Sequence, residues 1–177
     1  MRACPATADD IPAIRSLLIA AALPVDGIEA AFRTGVVLRG DTGALTAAAA
    51  IEPYGDVGLL RSVVVDVDAR GRGAGRRIVA EGEALARSLG MNELFILTET
   101  AADVFTRLGY RPVERASVPA AIRASAEFAS LCGETATAMA RRLDRSPGRG
   151  SGLEGRESRE GDRHEQPEAG HGSDDDR

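Results

Sequence analysis

As far as Arg142, apolar residues along the chain switch between two periods, and each switch marks an element. Met1–Ala6 reads as a short first strand. Ile11, Ile14, Leu17, Leu18 and Ala21 recur at helical spacing, so residues 10–21 are expected to form an amphipathic helix. Thr7-Ala8-Asp9-Asp10 signals its start, because a hydroxyl and a carboxylate three residues apart can cap each other's backbone amides, and Pro12 suits the first turn. Leu23-Pro24-Val25-Asp26-Gly27 ends that helix, and Ile28–Arg33 reads as a second, shorter one. Val36–Arg39 and Ala44–Glu52 are strands around the turn Gly40-Asp41-Thr42-Gly43. The alanines at 47–50 are ambiguous by propensity, and their place between turn signals decides for strand.

Pro53-Tyr54-Gly55-Asp56 turns the chain into Val57–Asp66, a strand with the β-branched run Val63-Val64-Val65. A helix over about 73–88 follows, marked by Ile78, Val79, Gly82, Leu85 and Ala86 and closed by Gly90. Glu93–Thr98 is a buried strand, Ala101–Leu108 a helix stopped by Gly109, and Tyr110–Val113 a strand. Pro119–Ser130 is expected to be one helix and Thr135–Arg142 the last strand.

The joint between Val65 and Ile78 carries the clearest chemistry. A valine-rich strand runs through a short acidic turn into Arg70-Gly71-Arg72-Gly73-Ala74-Gly75-Arg76, and a helix begins at once. Glycines there let backbone N–H groups approach an anion closely, and the positive end of the helix dipole faces the same point. This is a phosphate cradle. A nucleoside-triphosphate loop would need Gly-Lys-Ser/Thr, and all 22 basic residues of this chain are arginine. A dinucleotide fingerprint needs G-x-G-x-x-G, whereas Gly71, Gly73 and Gly75 give G-x-G-x-G.

Composition narrows the picture further. The 177 residues suggest one domain, and 44% apolar content supports a real core. From Asp144 the composition changes to Gly, Glu and Arg with Leu153 the one aliphatic side chain beyond alanine, so residues 144–177 are expected to be a disordered acidic tail. That stretch holds ten acidic and six arginine residues, which is −4 of the total −5, so residues 1–143 are nearly neutral. Near-neutrality and few aromatics argue against a nucleic-acid platform, including one built on the Arg-Gly loop. Both histidines, His164 and His171, fall in the tail. The expected domain therefore lacks Ser-His-Asp, Cys-His and His-ligated zinc chemistry, and the absence of lysine removes Schiff bases. Cys4 and Cys132 are too few for a disulfide framework or metal knuckle, so no metal is expected. No apolar run approaches the roughly 18 residues of a membrane span, and none follows Met1 as in a signal peptide; neither membrane nor export is expected, and the cytoplasm is the default.

Arg70-x-x-Gly73-x-Gly75, after a valine strand and before a helix, resembles the acetyl-CoA loop of the GNAT N-acetyltransferases, whose pattern is Arg/Gln-x-x-Gly-x-Gly/Ala. The element order β-α-α-β-β-β-α-β-α-β-α-β over residues 1–143 is similar to that of the same superfamily. Val104-Phe105-Thr106-Arg107-Leu108-Gly109-Tyr110 resembles its F-Y-x-x-x-G-F segment. Glu52-x-Tyr54-Gly55, Leu59-Leu60-Arg61-Ser62, Leu97-Thr98 and Glu127-Phe128-x-Ser130-Leu131-Cys132 resemble a subgroup, the GNAT proteins encoded in arsenic-resistance operons. The chain departs from that subgroup at Gly133, where proline is expected, and at Glu99, where threonine is usual.

The resemblance implies an α+β fold, a mixed central sheet of about six or seven strands flanked by helices and splayed between the fourth and fifth strands. It implies acetyl-CoA as co-substrate, its pantetheine arm bonded to the backbone of Val63, Val64 and Val65. The backbone amides of Arg70, Gly71, Arg72, Gly73, Ala74, Gly75 and Arg76 would then hold the pyrophosphate. It further implies direct transfer of acetyl to a primary amine of a small molecule, either an amino acid or an amine-bearing toxic compound linked to arsenic resistance, by a monomer or homodimer. A backbone N–H of the central strand, at Val63, would stabilise the oxyanion. The family's usual general-acid tyrosine is replaced by Phe105, which leaves open a rival reading as an acetyl-CoA-binding module without catalysis. Glu52 and Glu99, at strand ends, are the candidate bases, and Tyr54 is the candidate replacement acid. Arg61, Ser62, Thr98 and Thr100 are candidate acceptor contacts, each with an ordinary strand role as the alternative. Tyr110 is expected in the core, and Cys132 is expected to be a buried structural thiol.

Overall fold

A computed structural model describes residues 1–131 and 135–144. One compact unit spans Met1–Ser146; the expected tail beyond Asp144, and Cys132, lie outside the described residues. The strands are β1 (Arg2–Pro5), β2 (Gly35–Arg39), β3 (Leu45–Tyr54), β4 (Val57–Val65), β5 (Glu93–Thr98), β6 (Arg111–Pro112) and β7 (Thr137–Arg142). The helices are α1 (Ile11–Ala20), α2 (Ile28–Ala31), α3 (Ala74–Ser88), α4 (Ala102–Arg107) and α5 (Ala120–Arg123). The sheet runs β1-β2-β3-β4-β5-β7-β6, antiparallel throughout except for the parallel pair β4–β5. Among the described residues no helix is long and apolar enough to cross a membrane.

Both faces of the sheet are covered. On one face α3 buries Ile78, Val79 and Ala86 against Leu38, Ala49, Ile51, Leu60 and Leu94, and Phe105 and Tyr110 extend this core from α4. The other face is divided. Under α1 and α2 lie Ile14, Leu18, Ile28 and Phe32 on Val37, Ala48, Ala50 and Val64. Under the β6–β7 connection lie Val118, Ile122 and Phe128 on Leu59, Phe95, Leu97 and Ala138. The small alanines of β3 let the α2 region and α3 approach the sheet from opposite sides, which is why a helix-favouring composition is retained as strand.

The start of α1 follows the sequence expectation. Thr7 and Asp10 form a capping box around a 3₁₀ turn, Ala8–Asp10, that leads directly into α1, with Asp10 Oδ2 accepting from Thr7 N at 2.9 Å and from Thr7 Oγ1 at 3.0 Å. Arg39 on β2 donates to the other oxygen and ties the helix start to the sheet. Burial alone would push the Asp10 carboxyl up, but the bonds from Thr7 and the Arg39 guanidinium outweigh it and hold the pKa below the usual carboxylate value. A lowered pKa means that this stabilisation is present above the unfolded-state pKa, near 4, and disappears as pH falls through the lower folded value. Asp10→Asn should therefore cost about 1–2 kcal/mol at pH 7. In urea titrations the gap to the parent protein should close below about pH 4.

The expected helix Ile28–Arg33 is α-helical only to Ala31, then a 3₁₀ turn, and the expected strand Tyr110–Val113 shrinks to Arg111–Pro112; two further elements differ more. The strand β3 continues through Pro53 and Tyr54, which pair with Gly58 and Val57, so the turn shrinks to Gly55-Asp56, with Gly55 at φ +72°. Proline is tolerated there because the β2–β3 ladder ends at Ala50, leaving that edge of β3 with no amide to supply. The expected helix Pro119–Ser130 is broken into α5 and a π-turn, Glu127–Leu131. Between them the Ser125 hydroxyl accepts from the Phe128 amide at 3.3 Å, a local bond that competes with helix continuation.

Candidate active site

The parallel ladder between β4 and β5 consists of three pairs, Val57–Glu93, Gly58–Leu94 and Leu59–Phe95. Beyond Leu59 the two strands part, while β4 stays paired to β3 and β5 to β7. The inner edges of residues 60–65 and 96–98 thus face each other across an open wedge in the middle of the sheet. The parting coincides with a bulge: Ala48 pairs with Val64 and Ala50 with Arg61, so Ala49 is opposed by both Ser62 and Val63. Ser62 takes φ +51°, a left-handed conformation uncommon for a non-glycine residue, and the extra residue bends β4 away from β5. Val63 and Val65 are half-buried toward the α3 core and Val64 is buried toward α1.

The wedge leads into the glycine loop. Asp66 caps a 3₁₀ turn, its Oδ1 accepting from Asp68 N at 2.8 Å, and Arg70 Nε reaches back to the Val65 carbonyl at 3.4 Å. Gly71 and Gly73 both hold positive φ, +72° and +79°, and a Cβ on either would meet nothing within 4 Å. Gly73 is the N-cap of α3, so no side chain closes the first turn, and the N–H groups of Ala74, Gly75 and Arg76 lie at an uncapped helix start. Ala74 is buried against the core and Gly75 is half-buried; Arg70, Gly71, Arg72, Gly73 and Arg76 are exposed around this end. Left-handed glycines, open amides and three arginines make the end of the wedge fit for a diphosphate.

On the face opposite α3, the structure brings three of the expected residues together. Arg61 is buried, and its Nη1 donates to Glu52 Oε1 at 2.5 Å while Nη2 contacts Glu127 Oε2 at 2.9 Å and the Asp26 carbonyl at 3.3 Å. Tyr54 Oη donates to Glu52 Oε2 at 2.9 Å. Burial, then the adjoining Glu52, push the Tyr54 phenol up to about 12, so it keeps its proton at neutral pH. Glu127 was outside the candidate set. Its signal was present in the Glu-Phe-x-Ser-Leu-Cys stretch, but only the fold brings it to Arg61.

The other candidates sit elsewhere. Thr98 is buried, and its hydroxyl accepts from the Ala101 amide at 3.0 Å, so it holds the β5–α4 connection. Glu99 and Thr100 are exposed just past the end of β5. Phe105 packs edge-on against Tyr110 at 5.4 Å between ring centroids. Tyr110 is in the core as expected, its hydroxyl raised well above its ordinary value by burial and by Glu83.

With this geometry in place, similarity to known proteins is informative. Residues 32–112 match the family described as Acetyltransferase (GNAT) domain. The solved N-acetylglutamate synthase of Neisseria gonorrhoeae, complexed with coenzyme A and N-acetyl-glutamate, superposes over 81% of this chain and 35% of its own (TM-score 0.71, 24% identity). Rv2747 of Mycobacterium tuberculosis, solved with CoA, superposes over 81% of this chain and 99% of its own (TM-score 0.69, 25% identity). The chain has the GNAT fold. Among curated sequences it is 39% identical over 81 residues to the amino-acid acetyltransferase of Azotobacter vinelandii, covering 45% of this chain and 19% of that relative. It is 37% identical over 60 residues to an uncharacterized N-acetyltransferase of Chlorobaculum tepidum, covering 34% of this chain and 38% of the relative. The chain thus spans about a fifth of the first relative's length. The GNAT sheet, its parallel β4–β5 pair and the wedge beyond it agree with the expected fold class.

Proposed function

We propose that this protein is an acetyl-CoA-dependent N-acetyltransferase acting on a primary amine of a small molecule. The observation that carries this reading is the wedge between β4 and β5 running into the left-handed glycine loop. An unpaired strand edge inside a sheet leaves backbone donors and acceptors available. The extended, amide-bearing pantetheine arm can use them as a strand would, with the backbone of Val63, Val64 and Val65 as its partner. The amides from Arg70 to Arg76 then receive the diphosphate. GNAT neighbours solved with CoA, and relatives named as amino-acid acetyltransferases, support the assignment.

In the reaction an amine nitrogen bonds to the thioester carbon and the carbon–sulfur bond breaks. The bulge at Ser62–Val63 offers the Val63 N–H to the developing oxyanion. Glu52, fixed by Arg61 and Tyr54, is the residue proposed to take the amine proton, and Tyr54 the one to return a proton toward the thiolate. Ser62 lies at the bulge, and Glu99 and Thr100 lie just past the end of β5, which Thr98 closes from inside. Residues 144–177 are read as a solvating extension, and resemblance to the arsenic-operon subgroup makes an amine-bearing toxic compound one acceptor class to test.

Phe105, buried where the family's tyrosine stands, favours a second reading as an acetyl-CoA-binding module without catalysis. A panel of amines with acetyl-CoA, read by release of the free CoA thiol, separates the two. Turnover lowered about 10–100-fold by Tyr54→Phe, with acetyl-CoA affinity unchanged, is the expected result. Binding of acetyl-CoA without thiol release for any amine would favour the module.

A further inference from the structure

The Tyr54 phenol is held by more than Glu52. Its ring is half-buried against the cluster that contains Ile122 of α5 and Phe128 of the π-turn. Ser125 lies between those two residues in the chain and is only 7% exposed. A buried hydroxyl needs a partner for its hydrogen as well as for its oxygen. The Ser125 oxygen accepts from the Phe128 amide at 3.3 Å, and its backbone carbonyl accepts from the Ala129 amide at 2.9 Å, so the π-turn holds the residue in place. Its hydrogen goes to Tyr54, whose oxygen has lone pairs to offer because the phenol's own hydrogen is directed at Glu52 Oε2, 2.9 Å away. Burial and Glu52 raise the phenol, whereas the Ser125 bond and the charge of Arg61 act in the opposite sense and favour the phenolate.

We propose that Ser125 is a positioning residue for the acid step: its hydroxyl donates to Tyr54 Oη, aims the phenol and steadies the phenolate left when the phenol gives up its hydrogen. This rests on the transferase reading above, in which Tyr54 returns a proton toward the thiolate, and adds a residue to it. The amine nitrogen bonds to the acetyl carbon, the carbon–sulfur electron pair leaves on sulfur, and sulfur takes the Tyr54 proton. The amine proton, taken up by Glu52, then crosses the Glu52–Tyr54 bond to the phenolate, which restores both residues. Ser125 keeps its own hydrogen throughout. A bond to the phenolate is charge-assisted and roughly twice as strong as one to the neutral phenol, so the contribution of Ser125 falls mainly on the transition state.

The test is Ser125→Ala in the full chain, alone and in the Tyr54→Phe background, read by thiol release with an amine that the parent turns over. Alone, it should lower kcat about 5–10-fold and leave the KM for acetyl-CoA within about twofold. In the Tyr54→Phe background it should change kcat by less than about twofold, because no phenol is left for the hydroxyl to serve. A Ser125 that only shapes the π-turn would lower kcat alike in both backgrounds. That result overturns the inference and leaves the transferase reading intact, as does an unchanged kcat in Ser125→Ala or in Tyr54→Phe. Where alanine prevents folding, Ser125→Cys keeps the bulk with a weaker donor and is read on the same cycle, with a smaller expected loss. A second readout needs no turnover: the chain has two tyrosines, so labelling the phenol carbon gives two resonances. The Tyr54 resonance, assigned by its loss in Tyr54→Phe, should move in the Ser125 variant while that of Tyr110 stays; an unmoved Tyr54 resonance overturns the inference. Acetyl-CoA binding without thiol release for any amine overturns the transferase reading and this inference together.

Discussion

Gly73→Val is expected to weaken acetyl-CoA binding by about 100-fold or more while leaving the protein folded. The residue sits at φ +79° as the N-cap of α3, and a β-branched side chain is strained there by about 1–3 kcal/mol. A Cβ at this position meets nothing within 4 Å, so the core is not disturbed. The valine side chain instead occupies the space in front of the open helix amides, where the diphosphate is proposed to lie. The loop can relieve the strain by leaving the left-handed region, but its amides then no longer converge; either way affinity falls. Gly73→Asn separates strain from obstruction, because asparagine tolerates that region. It should retain affinity within about 10-fold, as read by calorimetry beside a thermal melt. Equal binding by the valine variant and the parent would remove the glycine loop from the cofactor site.

Arg61→Ala is expected to be the most destabilising single change at the candidate site, about 3–5 kcal/mol by denaturant unfolding. At this domain size that corresponds to a fall of roughly 10–15 °C in Tm. The reason is less the lost attraction than the two carboxylates left behind: Glu127 is buried, and the side chain of Glu52 is only 23% exposed. Combining Arg61→Ala with Glu127→Gln should cost about 1–2 kcal/mol less than the two changes taken separately, because both remove the same Arg61–Glu127 contact. Strict additivity of the two changes would mean that the Arg61–Glu127 contact contributes nothing. The cluster joins β3, β4, the α1–α2 connection and the π-turn, so its loss is expected to loosen the acceptor face before the rest of the sheet.

What the sequence made legible follows from how local each signal is. The capping box at Thr7 and Asp10, the stops at Gly90 and Gly109 and the glycine loop are each set within a few residues, and each is found where expected. Strand β5 agrees with its expected bounds, Glu93–Thr98, because a short apolar run between polar flanks has one reading. The parting of β4 from β5 was implied only by family resemblance. Its physical cause, an extra residue opposite Ala49 with Ser62 in a left-handed conformation, leaves no mark on the apolar alternation. The hairpin through Pro53 was misjudged because proline usually ends a strand, and only the end of β2 at Gly35 shows why it does not here. Glu127 was missed for a related reason. Sixty-six positions separate it from Arg61, and its pairing depends on a π-turn that replaced the expected continuous helix.

Amide hydrogen exchange with and without acetyl-CoA tests the central claim most directly, because the claim concerns particular backbone groups. Insertion of the pantetheine arm into the wedge predicts new protection at Val63–Val65 and at Gly73–Arg76, with the β1–β2 ladder unchanged. Binding of acetyl-CoA with protection confined to another surface, or no change at these amides at saturating ligand, would contradict the account.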